Sequence, residues 1–162
     1  MPGGSECARV RTERNTSAFE FLILNHKKKG LSVPPMIEHQ KSIDAAQKVL
    51  DAFMAAFNAR DIPAFEATFN FPSVRFASNT MVILNKGDMT PERFTTGALA
   101  EWDHSAWERR AVIHAGADKV HIDTRFTRYR KDGSVIGGFD SIYVITCENG
   151  HWGVKCRSSF AP

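Results

Sequence analysis

From Ile43 to Asn58, apolar side chains recur at Ile43, Ala46, Val49, Leu50, Phe53, Met54 and Phe57. Steps of three and four put them on one face of a helix, so the spacing predicts an amphipathic helix with one broad buried stripe. In "ARDIPAFEATFN", Asp61 is placed as an N-cap with Pro63 in the first turn, which predicts a short second helix ending near Phe69, before Pro72. "SVRFAS" and "TMVILN" read as two short strands about Ser78 and Asn79. "MTPERFTTGALAEW", with Thr90 as N-cap and Pro91 at the first helical position, predicts a third helix to about Trp102. Four longer strand patterns follow, at roughly 107–115, 118–130, 135–147 and 152–160, separated by Gly116-Ala117, Asp132-Gly133 and Asn149-Gly150. The order of elements predicts an α+β fold: a curved antiparallel sheet, with three helices from the N-terminal half covering its concave face.

Tight turns fix register, so cross-strand partners follow from the three turn positions. They predict apolar rows on one sheet face: Trp107–Phe126–Phe139–Phe160, Ala111–Ile122–Tyr143–Cys156 and Ile113–Val120–Ile145–Val154. The other face alternates charge, with Arg125 between Glu108 and Asp140, and Arg110 opposite Asp123, as on a solvated sheet surface. Asp140 therefore reads as the ion-pair partner of Arg125 rather than as a catalytic acid.

One row breaks the apolar face: Arg109–Thr124–Ser141–Ser158. An arginine and three hydroxyls flanked by hydrocarbon need partners, because burying them bare is costly. A ligand in a mostly apolar cavity would supply them. An internal carboxylate such as Asp103 or Glu101 would serve Arg109 equally well. In the ligand reading Arg109 anchors an anionic or carbonyl group, Thr124, Ser141, Ser158 and Tyr143 orient it, and Phe53, Phe57, Trp107, Phe126 and Phe139 wall the cavity.

Composition narrows the classes. The 162 residues are 43% hydrophobic, with 12 Phe, enough for one domain with a real core. The net charge of +3 is mild, and Arg9, Arg11, Arg14, Lys27, Lys28 and Lys29 fall in the first 35 residues, so the folded part shows no basic face that suggests nucleic acid. Residues 1–35 are expected to be a disordered extension, or sequence ahead of a natural start at Met36. Residues 36–162 form the domain. Cys7, Cys147 and Cys156 make no zinc or disulfide pattern. Cys147 and Cys156 share a face but are offset beyond disulfide reach, so both are expected as free thiols in a reduced, cytoplasmic protein. No metal, cofactor or membrane partner is implied. His104 beside Asp103 is the best-placed general base, although sequence neighbours do not normally face each other, and Tyr143 is the other weak catalytic candidate. His114 and His121 fall on the charged face, and His151 at a hairpin tip.

Residues 40–162 resemble the nuclear-transport-factor-2-like superfamily, which includes ketosteroid isomerases and SnoaL-like cyclases. The likeness rests on "VLDAFMAAFNARDIPAFEATF", "FPSVRF" and "SIYVITCENGHWGVKCRSSFAP". It implies a cone with a cavity between helices and concave sheet, and a homodimer, here expected through the outer sheet face. The isomerase tyrosine and general-base aspartate would fall at Phe53 and at or beside Phe76, so that chemistry does not carry over. The resemblance supports a small-molecule-binding protein, with cofactor-independent lyase, isomerase or hydrolase chemistry if it is an enzyme. The alternative is a non-catalytic dimerisation or ligand-sensing module with a filled cavity.

Overall fold

The structure, a computed structural model, describes residues 38–77 and 79–162. The expectation for residues 1–35 lies outside the described residues. Helix α1 (Gln40–Ala59) buries Ile43, Ala46, Val49, Leu50, Phe53 and Met54, the predicted stripe. It ends at Arg60, whose left-handed conformation (φ 56°) turns its N–H back onto the Ala56 and Phe57 carbonyls. Helix α2 (Ile62–Glu66) is capped by Asp61, whose carboxylate accepts the Ala64 N–H at 3.0 Å. It is shorter than predicted: β1 (Phe69–Ala77) has already begun before Pro72. β2 (Thr80–Leu84) closes a hairpin with it.

The predicted third helix is absent. Pro91–Phe94 and Gly97–Leu99 form two separate 3-10 turns. The Thr95 and Thr96 hydroxyls both donate to the Glu92 carbonyl, competing with a helical backbone, and Gly97 sits at φ 58°. The helix signal at Thr90-Pro91 is genuine, but the two threonines and the glycine stop it after one turn.

Strands β3 (His104–Ala115), β4 (Lys119–Tyr129), β5 (Val135–Glu148) and β6 (His151–Ser159) form the predicted meander. All six strands belong to one curved sheet in the order β2-β1-β6-β5-β4-β3. The sheet is mixed rather than antiparallel, because β1 runs parallel to β6, pairing Val74 with Cys156 and Arg75 with Arg157. Partners so far apart in sequence have no turn to announce them.

Register decides what faces the interior. The β4–β5 pairing is as predicted: Phe126↔Phe139, Thr124↔Ser141, Ile122↔Tyr143 and Val120↔Ile145. The β3–β4 pairing starts as predicted at Trp107↔Phe126, then slips by one to Arg110↔Thr124 and by one more to Ala115↔Val120. The β5–β6 pairing holds to Ile145↔Val154, then slips to Tyr143↔Arg157 and Ser141↔Ser159. Each bulge inserts one residue and so exchanges the two sheet faces beyond it. Val112 and Ala115 pack on the core in place of Ala111 and Ile113, and Ala161 is buried where Phe160, 82% exposed, was expected.

The core lies between α1 and the concave face: Leu50, Phe53, Val120, Ile122, Tyr143, Ile145 and Val154 are all buried. Gly153 lets β6 approach β1 closely, since a Cβ there would lie 2.7 Å from the Phe69 carbonyl carbon. Cys156 is a free thiol, whereas Cys147 is disulfide-bonded, which corrects the reading of both as free. No described helix is long and apolar enough to cross a membrane.

Candidate functional site

At one end of the cone an open chamber of about 430 Å³ lies between α1, α2, the 3-10 turns and the sheet. Phe53 and Phe57, one helical turn apart on α1, stack at 6.3 Å and present a ring wall. Phe65 of α2 meets Phe53 at 4.7 Å, and Phe94 of the first 3-10 turn meets Phe57 at 5.4 Å. Met89, Leu84 and Leu99 extend the apolar lining.

Against this aromatic wall stand the guanidinium groups of Arg75, Arg93, Arg128 and Arg157. Arg128 follows Val120, Ile122, Thr124 and Phe126 on the inward face of β4. Arg157 is inward because the β6 bulge puts it opposite Tyr143, and Arg75 is its partner across the parallel β1–β6 ladder. Among the described residues none of the four pairs with an aspartate or glutamate side chain. Arg75 donates to a main-chain oxygen of Pro162, the last residue of the sequence (3.3 Å), Arg93 approaches the Met89 sulfur (3.9 Å) and Arg157 donates to the Ser159 hydroxyl (3.0 Å). Arg128 is 4% exposed, and its Nε and Nη1 are buried without a hydrogen-bond partner, as is Nε of Arg157. The Arg128 guanidinium lies 5.1 Å from the Phe139 ring, and that of Arg157 lies 5.3 Å from the Tyr143 ring. Cation–π contact of this kind offsets part of the desolvation but supplies no acceptor.

The electrostatics follow. Burial, with Arg157 and Arg75 adding repulsion, pushes the Arg128 pKa down to about 10, so it remains cationic at neutral pH. Burial and then Arg157 and Arg93 lower that of Arg75. Tyr143, 1% exposed, is pushed up by burial against the opposing pull of Arg157, Arg75 and Arg128, so it stays a neutral phenol. It borders a small second cavity of about 20 Å³, which Arg128, Arg157 and Ser105 also line.

The sequence-predicted site is only partly here. Phe53 and Phe57 line the chamber, Trp107 and Phe126 line the small cavity, and Phe139 packs on Phe126 at 5.6 Å. Arg109 does not enter. The first β3 bulge turns it outward, half-exposed, where it pairs with Asp123 (3.0 Å) and Asp140 (3.1 Å). Ser158 is turned outward by the β6 bulge, and Ser159 takes its place. The remaining hydroxyls satisfy one another: Thr124 donates to the Ser141 carbonyl at 3.1 Å, and Ser141 donates to the Ser159 oxygen at 2.8 Å. Arg110 turns to the helix side and pairs with Asp51 at 2.6 Å.

On the outer face Arg125 bridges Glu108 (2.9 Å) and Asp140 (2.8 Å), as expected. His104 does pair with the adjacent Asp103, Nδ1 to Oδ2 at 2.9 Å, and stacks on Tyr129, but it is half-exposed and outside the chamber. His114 and His121 face each other across β3 and β4, with ring centres 6.0 Å apart. His151 binds Asn70 and the Ala67 carbonyl, tying β6 to the α2–β1 junction.

Residues 42–156, well over half of the chain, match the family model for the NTF2-like protein family DUF6841. The chain belongs to this family. Among solved structures this NTF2-like chain is similar to a protein of unknown function with a cystatin-like fold from Nostoc punctiforme (TM-score 0.61, 12% identity, 73% of this chain and 89% of that one). A ketosteroid isomerase-like protein from Erwinia carotovora atroseptica has a TM-score of 0.54 and 22% identity over 74% of this chain and 96% of its own. An NTF-2 like protein of unknown function from Shewanella oneidensis has a TM-score of 0.56 and 12% identity, covering 74% and 98%. These likenesses show the fold. No protein of curated function matches the chain in sequence.

Proposed function

We propose that this NTF2-like protein binds a small, partly aromatic compound through an anionic group, in the arginine-lined chamber. The observation that carries the reading is the contrast between two sets of arginines. Arg109, Arg110, Arg125 and Arg130 each hold a carboxylate within 3.1 Å. Among the described residues, the four chamber arginines hold no aspartate or glutamate. A buried guanidinium without an anion is costly, and an anion from solution removes that cost. The phenylalanine wall opposite suits a flat apolar body, and a volume of about 430 Å³ fits a compound of small-metabolite size. The open chamber favours ligand binding over the filled-cavity alternative.

The anchor role read for Arg109 passes to Arg128 and Arg157. Tyr143 is the one candidate proton donor beside them. Thermal-shift titration with aromatic acids and their neutral analogues tests the reading. Aromatic acids should raise Tm of the wild type and of Arg109→Ala alike, and should lose most of that effect with Arg157→Met. A neutral analogue acting as strongly as its acid would contradict the anion requirement. The outer sheet face, where Ile113 and Ile142 are 42% and 46% exposed, is proposed as the contact with a second copy.

A further inference from the structure

We infer that the chamber selects a doubly charged head group on an aromatic body, such as an aryl phosphate monoester or an aryl dicarboxylate, over a singly charged one. This rests on the anion-binding reading above and adds to it the charge of the ligand. Three guanidinium groups, from β1, β4 and β6, converge on one region: Arg75 and Arg157 are register partners, and Arg128 and Arg157 line both cavities. Arg93 brings a fourth from the 3-10 turn. A monoanion would leave at least two of these cations without compensation inside an apolar wall, and a dianion leaves fewer.

Two of the chamber guanidinium groups also carry buried nitrogens that no described residue satisfies. Arg128 Nε, Arg128 Nη1 and Arg157 Nε are all unpartnered, and they lie on two different side chains. An arginine fork donates two parallel hydrogen bonds to a carboxylate or phosphate, so two forks call for two acidic groups or one phosphoryl group with three oxygens. The aromatic wall excludes a bare inorganic ion as the best fit, because Phe53, Phe57, Phe65 and Phe94 would then stay uncovered. Among the described residues no histidine and no aspartate or glutamate side chain lines the chamber, whose charged side chains are Arg75, Arg93, Arg128 and Arg157, with Tyr143 behind them. Between pH 5 and 7.5, then, ligand charge is the variable that changes.

The test is isothermal titration of the full chain with phenyl phosphate, phthalate, benzoate, benzenesulfonate and phenol at pH 7.5 and fixed low salt. Phenyl phosphate and phthalate should bind about tenfold or more tighter than benzoate and benzenesulfonate, and phenol weakest. Lowering pH to 5 protonates the phosphate monoester, whose second pKa is about 6. Phenyl phosphate should then fall to the benzenesulfonate level while benzenesulfonate itself stays constant. Arg128→Met and Arg157→Met should each reduce dianion affinity more than monoanion affinity. Arg109→Met, altered on the outer face, should change neither, and the thermal transition of each variant confirms its fold. Equal affinity for mono- and dianions would overturn the charge selection and leave the anion reading standing. Phenol binding as well as the acids, or no probe binding at all, would overturn both. A preference for phenyl phosphate over phthalate supports a phosphoryl ligand, and the reverse order a dicarboxylate.

Discussion

Arg128 concentrates the cost of the site in one side chain. It is buried, two of its nitrogens lack acceptors, and two neighbouring guanidinium groups repel it. Without ligand this is a destabilising arrangement, so Arg128→Met should raise stability by on the order of 2 kcal/mol, several degrees in Tm for a domain of this size. Because the folded pKa is lowered to about 10, below the ordinary arginine value, the unfolded chain holds its proton more tightly. The penalty is therefore fully present below pH 10 and shrinks as the folded arginine loses its proton above it. Denaturant titrations at pH 8 and pH 10.5 should show a smaller advantage for the variant at the higher pH. A variant less stable than wild type at pH 8 would mean that Arg128 has an internal acceptor. Adding a tightly bound aromatic acid should reverse the order, because only the wild type gains from it.

At the scale of elements, the bulges in β3 and β6 set the site. The hydrophobic stripe of α1, the Asp61 cap and the β4–β5 register were all legible, because each depends on local spacing or on one tight turn. Arg128 was legible too, by simple alternation from Phe126, though it lies one step beyond the rows that the turns predicted. Arg157 was not. A bulge announces itself by no residue type here, and one inserted residue exchanged Ser158 for Ser159 and brought Arg157 inward. Arg109 left the interior for the same reason on β3. The β1–β6 contact, which places Arg75 beside Arg157, was equally hidden. Gly153 tests how tightly that contact is made: Gly153→Ala should cost about 2–4 kcal/mol, because the new methyl meets the Phe69 and Asn70 backbone. Gly138→Ala should cost less, since its Cβ meets chiefly the movable end of Arg125. Urea midpoints for the two variants give the comparison, and equal losses would contradict it.

Over the whole molecule, charge is sorted by face. The outer sheet surface interlocks Arg109, Arg125, Glu108, Asp123 and Asp140 in ion pairs, with Thr127 also bonded to Glu108, so its arginines are paired within the face. Among the described residues, the charged side chains that line the chamber are all arginines. An outer face whose arginines are already paired, with Ile113 and Ile142 exposed, suits self-association, and sedimentation velocity should show a dimer that Ile142→Glu weakens. A monomer at all concentrations would remove that part of the account.

The central claim is that the chamber arginines meet an anion, and the nitrogens that lack partners report on it directly. In a proton–nitrogen correlation spectrum of arginine side chains, phenyl phosphate should shift the Nε–H signals of Arg128 and Arg157. Those of Arg109 and Arg125, already bound to carboxylates at 3.0 and 2.9 Å, should not move. Shifts confined to the outer-face pair, or none at the chamber pair under saturating ligand, would contradict the account.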